Sequence, residues 1–570
     1  MSPTTEASSG TQPFAVRAAE WAVRLRYGDL PASVRRLGRA QLQSTMGAAI
    51  WTLSHPLGET ITEAATETDA FATEASSSRT ERQPRASPGA NENPAGHGVA
   101  TFVASGPTAP TAAAAGHAAL SMAMDFDDSV LGGHTGHSAA GVALAYGEAT
   151  GANGREVLVA SVAATEIAAR FGAAAAVGPF RGQQTAYIHA VGAAVARGVL
   201  EGCAPETLAD AIALALGQPP WPLEPAFLGS DAKVASAAEP IRTGCWAVAA
   251  ARNGMAGNPQ VVEGTDGFLS VFATYPLAAF FDGLGERWHT RTLSVKPYPG
   301  CAYVTAPIHA ALAVRDRLST PAAIRRVDVS GSLFTSRVDA LAGAYVAGSD
   351  SPLAALSFSV PYNVAAALFD GVHSPRQLHP ERTGDAERWA LADRVTVHHD
   401  AKLTLAALES AVPLGAMVRP LGWEVLPYAA KSVGVTTTLR HLPTIARLAR
   451  RRPLPTDFDD AEKRLGARVR VTLADGTETA ATCHHPPGFA GRPIAEIEAI
   501  AREKLRSALD VLDRDETGSG DGAPTALATG DISRVRMDPD GESAAIDLVE
   551  LEGSDPVDLS PLAECVEERL

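Results

Sequence analysis

The chain has 570 residues, which is too long for one ordinary core and calls for two large domains or more. Its 46% hydrophobic content is that of a folded globule. A formal net charge of -16 repels phosphate backbones, so nucleic acid is excluded as a partner, and an anionic substrate requires a local cationic pocket.

The first ten residues are polar and rich in Ser and Thr, without the basic start and apolar centre of a signal peptide. Residues 12–51 read as helical, with Ser33 as a candidate cap and Val34, Leu37, Leu42, Met46 and Ile50 as apolar positions. The stretch 52–100 is poor in large apolar residues and rich in Ser, Thr, Ala, Pro and Glu, and reads as a disordered insertion. From about 110 to 290 the chain is Ala-rich and helical, in segments such as Arg155–Phe171, Ala190–Leu200, Pro205–Leu216 and Arg242–Gly254. The apolar run from Val157 is interrupted by Glu166 and Arg170 and reads as too short and too charged to cross a membrane.

Near residue 291 the texture changes. Ile324–Ser332 and Asp393–His399 alternate as half-buried strands do, and Arg468–Thr482 reads as a hairpin turning at Asp475-Gly476. Helices are expected at Val304–Leu318 and Val360–Phe369. A basic run at 441–452 has no evident place, 493–513 returns to helix, 516–523 is a linker, and Asp558–Cys565 is a short closing helix. The fold class is therefore mainly α: a large all-α helical domain (1–51, 101–290 and 491–570) plus a smaller α+β domain at 291–490. The five cysteines, odd in number and without a CxxC pair, read as a reducing cytosol, so a soluble cytoplasmic protein without a membrane partner is expected.

Chemistry concentrates in Asp125-Phe-Asp127-Asp128-Ser129, followed by His134 and His137. Carboxylates packed together repel and their pKa values spread apart, which suits proton transfer. No GxSxG elbow, P-loop, HExxH or GxGxxG after a strand is present, and nothing in the sequence invokes a cofactor or metal. His398 and His399 are neighbours on a strand and point to opposite faces, which disfavours a shared metal.

The DFDDS…H run resembles that of the MmgE/PrpD family, which includes 2-methylcitrate dehydratases, cis-aconitate decarboxylases and iminodisuccinate epimerases. Four further segments resemble the family in the same order: Asp231-Ala-Lys233 leading through Arg242-Thr-Gly to Ala250-Ala-Arg-Asn-Gly254; Lys296-Pro-Tyr-Pro-Gly-Cys301; Ser359-Val-Pro-Tyr362-Asn-Val-Ala; and Asp558-Leu-Ser-Pro-Leu. The resemblance implies a cleft for a small polycarboxylate between helical domain and lid, and a homodimer formed through the helical domain. It carries catalytic roles onto Asp125, His137, Lys233, Lys296 and Tyr362, and substrate contacts onto Ser129, His134 and Arg242. In dehydration, a proton leaves the carbon α to a carboxylate and a hydroxyl departs. Lys233 and Lys296 suit the developing negative charge, His137 or Tyr362 the departing hydroxyl, Asp125 the base or the orienter of His137, and Arg242 a second carboxylate. Asp127 and Asp128 are read as capping or surface groups, His134 as a loop residue rather than a catalyst, Arg252 as a structural partner, and Cys301 as buried and inert.

The chain departs from the family pattern where Phe180-Arg-Gly-Gln-Gln184 lacks a histidine, with His189 further on, where Met122 replaces a histidine, and at Ala302 and Thr305, where Arg and His are usual. The expected activity is a cofactor-independent hydro-lyase acting on a 2-methylcitrate-like acid. The alternatives are an epimerase or decarboxylase on a related polycarboxylate, or a member that binds a carboxylate without turning it over.

Overall fold

Alanine and glycine on facing helices let backbones approach closely, and the helices of the larger domain stack on that basis. The structure is a computed structural model that describes residues 12–77, 99–178, 186–318, 324–410, 414–450, 453–512 and 556–567. Ten helices begin the chain: α1 (Phe14–Arg24), α2 (Ala32–Leu53), α3 (Pro56–Ser77), α4 (Pro110–Ala123), α5 (Gly136–Thr150), α6 (Gly154–Ala174), α7 (Tyr187–Leu200), α8 (Pro205–Ala215), α9 (Glu224–Gly229) and α10 (Ala235–Arg252). Between α3 and α4 lies a small hairpin, β1 (Ala100–Phe102) and β2 (Gly106–Thr108). Helix α7 packs between α5, α6 and α10, and α4 lies against α2, α5 and α10.

Several expectations change. Half of the expected disordered insertion is ordered: α3 occupies Pro56–Ser77 and seats Ile61 in the core, because alanines and i, i+4 spacing support a helix despite the polar composition. Residues 78–98 and the RGQQ segment at 179–185 lie outside the described residues. Ser33 does not cap α2, which starts at Ala32 after Pro31; its hydroxyl accepts from Arg291 Nε at 3.3 Å. Helix α10 begins seven residues before the expected Arg242 and carries Pro240 inside, where tertiary packing against α4, α7 and α8 overrides proline's preference. Helix α6, capped by Asn153 with Glu156, runs 21 residues and is long and apolar enough to cross a bilayer, contrary to the shorter run expected. From Val157 to Ala174 it is buried, and its Glu166 and Arg170 pair at 2.6 Å.

The lid is a four-stranded sheet in the order β6-β5-β7-β8, with β5 (Ile324–Gly331) parallel to β6 (Val395–His399) and antiparallel to β7 (Ala467–Leu473), which pairs with β8 (Glu478–Cys483). These are the strands the alternation predicts. The turn at Asp475-Gly476 forms as expected, with Gly476 at φ +87° and Thr477 N donating to Asp475 Oδ1 at 2.8 Å. Val327, Val329, Val469 and Val471 bury their side chains with the helices Thr305–Arg315 and Val360–Asp370, forming a second core. The stretch 414–450 folds into short helices, the basic run contributing Leu442–Leu448.

Two features join the domains. The short strands β3 (Asp128–Ser129) and β4 (Ser294–Val295) pair antiparallel, Asp128 opposite Val295. The helix Ile494–Leu512 then returns from the lid and lies along α2, burying Ile497, Ile500, Leu505 and Ala508.

Candidate active site

The acidic run leaves the end of α4 and enters β3. Asp125 adopts φ +52°, the one positive φ outside glycine among the described residues, in a region that aspartate tolerates better than most. This turn aims both its carbonyl oxygen and its carboxylate at one ammonium. Lys296 Nζ donates to Asp125 O at 2.8 Å, to Asp125 Oδ1 at 2.5 Å and to Asp127 Oδ1 at 2.7 Å. The β3–β4 pairing carries Lys296 to this place, since the next backbone bond in that direction runs from Lys296 N to Asp127 O at 3.3 Å.

Three more lysines converge. Lys233, in a single helical turn at Asp231–Val234, donates to Met122 O at 2.6 Å and stands 3.9 Å from Asp125 Oδ2. Lys504, on the returning helix, donates to Ser44 Oγ at 2.8 Å and Phe126 O at 2.5 Å. Lys463, from the loop before β7, donates to Ser129 Oγ at 2.7 Å. All four are buried, whereas Lys402 and Lys431, the remaining two of the chain's six lysines, are exposed.

The second oxygen of Asp127 faces two imidazoles, His134 Nδ1 at 2.7 Å and His137 Nε2 at 3.1 Å. His137 is fully buried, with Nδ1 against Ser121 Oγ at 2.7 Å and its ring 5.4 Å from that of His189. Asp128 accepts from Gln41 Nε2 at 2.7 Å. Gln41 also donates to Thr135 and accepts from Thr165, so the polar groups below the run form a connected network.

The charges separate the three carboxyls. Burial pushes Asp125 up, but Lys233 and Lys296 outweigh it and hold its carboxyl below the usual range. Asp127 is held well below, because Lys296, His134 and His137 together overcome the cost of burial. Asp128 is raised by burial and by the negative charge of Asp127. Burial lowers Lys463 to about 8 and Lys504 to about 7, Lys296 adding its repulsion to both. Burial raises the Cys301 thiol to about 12, which disfavours its thiolate, and the residue is buried as expected.

A cavity of about 370 Å³ opens between the domains over this cluster. Asp125, Ser129, His134, His189, Cys301, Ala302 and Lys463 border it, together with apolar side chains from both domains. The loop carrying His134 is held by an interlocked glycine pair. Gly132, at φ +115°, and Gly172 on α6 leave no room for a Cβ, which would meet the facing carbonyl oxygens at 2.0 and 1.7 Å.

Of the residues singled out from sequence, Asp125, Ser129, His134, His137, Lys233 and Lys296 come together here. Tyr362 and Arg242 do not border the cavity. The Tyr362 hydroxyl donates to Gln377 O at 2.5 Å and its ring packs on Trp389, while Arg242 pairs with Glu239 on its own helix at 3.5 Å. Asp127 and Asp128 are corrected from surface or capping groups to fully buried members of the cluster, since β3 turns inward between the domains. Arg252 pairs with Glu201, a structural role as expected. Sequence reasoning missed Lys463, Lys504, Gln41 and Ser121. The scarcity of lysine, six in 570 residues, is a sequence signal that could have marked the first two.

Asp127, His134 and His137 offer ligand atoms within 4.8 Å of one another, the geometry of a three-donor cation site. The Lys296 ammonium lies 2.7 Å from the other Asp127 oxygen and sets a fixed positive charge against any cation placed there. His398 and His399 have separate partners, Asp328 and Thr404.

A comparison with curated proteins finds no match. Two family models do match: the MmgE/PrpD N-terminal domain over residues 16–280 and the MmgE/PrpD C-terminal domain over residues 298–418. Strands β7 and β8, Lys463 and Lys504 lie beyond the second match, yet they complete the lid sheet and the lysine cluster. With both domain models matched in order on the helical and lid domains, the chain belongs to the MmgE/PrpD family.

Proposed function

We propose that the protein is a hydro-lyase that dehydrates a small 2-hydroxy polycarboxylate of the methylcitrate kind by removing a proton α to a carboxylate. Family membership supports an enzyme acting on carboxylates. The observation that carries the reading is the meeting of Asp125, His134 and Lys463 at one cavity wall, with Lys233 and Lys296 close behind it.

In this reading Lys463 and Ser129 take a substrate carboxylate. Asp125, kept ionised by its two lysines, accepts the α-proton. The electron pair left on carbon moves toward that carboxylate, and the nearby ammonium groups stabilise the growing charge. The carbon–oxygen bond to the hydroxyl then breaks, and His134 delivers a proton so that the leaving group departs as water. His134 borders the cavity while His137 lies behind Asp127, so His134 is the acid and His137 is a positioning residue that holds Asp127. The chemistry asks for no electron acceptor, because proton and hydroxide leave together as water.

Proton NMR in deuterated buffer tests this, with the full-length protein and 2-methylcitrate, citrate, cis-aconitate and iminodisuccinate. The expected result is a new vinyl signal from a hydroxy acid. Loss of a carboxylate instead makes the enzyme a decarboxylase, and deuterium entering recovered substrate without elimination makes it an epimerase. Silence from folded protein across the panel and with longer 2-alkylmalates overturns the reading.

A further inference from the structure

The cavity is polar on one side and apolar on the other. Its polar side is the cluster described above. The opposing wall comes from three short helices that pack on one another: α9, Leu333–Ala342 and Leu353–Phe358. They supply Phe227, Leu228, Phe334, Val338, Leu341 and Phe358. The rings of Phe227 and Phe358 stand 5.7 Å apart, and Lys233 Nζ lies 5.8 Å from the centre of the Phe358 ring, so the wall begins at the lysine cluster. Phe334 is 42% exposed, so the same wall runs out to solvent. An exposed aromatic that borders a cavity is a different matter from a scattered surface phenylalanine, because it extends one apolar track.

Charge points the same way. Among the described residues that border the cavity, Lys463 is the one lysine or arginine, and Asp125 and Glu224 are carboxylates. Glu224 belongs to the same helix as Phe227 and Leu228 and repels a second anion on that side. Ala302 borders the cavity without charge, and the Thr305 hydroxyl one turn on is buried without a partner. A small acid with charge at every corner would leave the apolar wall wet. A molecule with its charge at one end would cover it.

We infer that the substrate is amphiphilic: a hydroxy acid whose carboxylates gather at Lys463 and Ser129 and whose remaining substituent is an alkyl arm of several carbons lying along the Phe227–Phe358 wall. This rests on the hydro-lyase reading for the chemistry but not for the shape of the site. The cavity's size is within the range of sites for small organic ligands.

The test uses the full-length protein and two pairs of probes. Calorimetry compares unreactive 2-octylsuccinate with 2-methylsuccinate, and proton NMR follows dehydration of 2-octylmalate and 2-methylmalate. Each methylene buried favours binding by roughly fourfold, so the octyl acid is expected to bind at least about tenfold more tightly than the methyl acid. Leu341→Glu should bring that ratio toward one. Phe334→Ser, at a position 42% exposed, should lower it too, with circular dichroism checking that both variants fold. Equal or weaker binding of the octyl acid overturns the inference. Tight octyl binding with no turnover of either malate leaves the amphiphilic site standing and overturns the hydro-lyase reading. Turnover of the methyl compound without octyl binding does the reverse.

Discussion

Lys504 carries a charge that burial disfavours, and its folded pKa of about 7 lies far below the ordinary value for lysine, about 10.4. Between those values the unfolded chain holds a proton that the folded chain does not. Stability from this group therefore rises with pH across that window, and below pH 7 the full cost of burying the charge is felt. Lys504→Met should flatten the rise, by an amount on the order of a few kcal/mol. Urea unfolding at pH 7 and pH 9.5 compares variant with wild type, and an unchanged slope would count against a buried, titrating ammonium. Asp125 gives a second residue-scale prediction. Asparagine tolerates a left-handed backbone as aspartate does, so Asp125→Asn should fold while turnover falls by about 10²- to 10⁴-fold. Circular dichroism and a steady-state assay check the two halves, and wild-type-like turnover would remove Asp125 as the base. At this scale the sequence singled out Asp125, Ser129, His134, His137 and the two motif lysines, which the structure brings together, but it misread Asp127 and Asp128 as surface or capping groups. Tyr362 and Arg242 were misplaced because a motif names a residue without saying which way its side chain points.

At the scale of elements, the site depends on how closely α6 meets the loop that carries His134. Adding a methyl group at Gly172 drives a Cβ into the Gly132 carbonyl. Gly172→Ala should cost about 1–3 kcal/mol, as overpacking does, and should shift His134 away from Asp127. A lowered denaturation midpoint together with a rise in KM larger than the fall in kcat is the expected pattern, while stability within error of wild type would show that the loop can yield. The lid strands were readable from alternation because each has one face on the core, with Val327 and Val329 inward and Arg326 outward. Helix α3 was not readable, because its composition resembles that of a linker and only packing of its Ile61 side reveals a helix. Helix α10 was misread at its start for a related reason: Pro240 looks like a boundary in sequence, and its neighbours in space keep the helix intact.

For the whole molecule, the lid is tied down at two places, β3–β4 and the returning helix, and both carry site residues. Ile500, fully buried on that helix among Leu37, Val295 and Ile497, is part of this tie. The proposed homodimer is tested at the same scale. Light scattering should give twice the 59.0 kDa of one chain, and the exposed Trp246 on α10 is one of the large apolar side chains that a helical-domain interface would cover. A mass of 59.0 kDa at assay concentration would rule the dimer out. What the sequence by itself determined is the family and the mainly α architecture with an α+β lid. Those follow from periodicity, composition and short motifs, which are local. Only the tertiary structure decided that Asp127 and Asp128 are buried, that Lys463 and Lys504 join Lys233 and Lys296, and that the facing wall is apolar. Those properties arise from segments hundreds of residues apart meeting where two domains close, and no local pattern encodes that meeting.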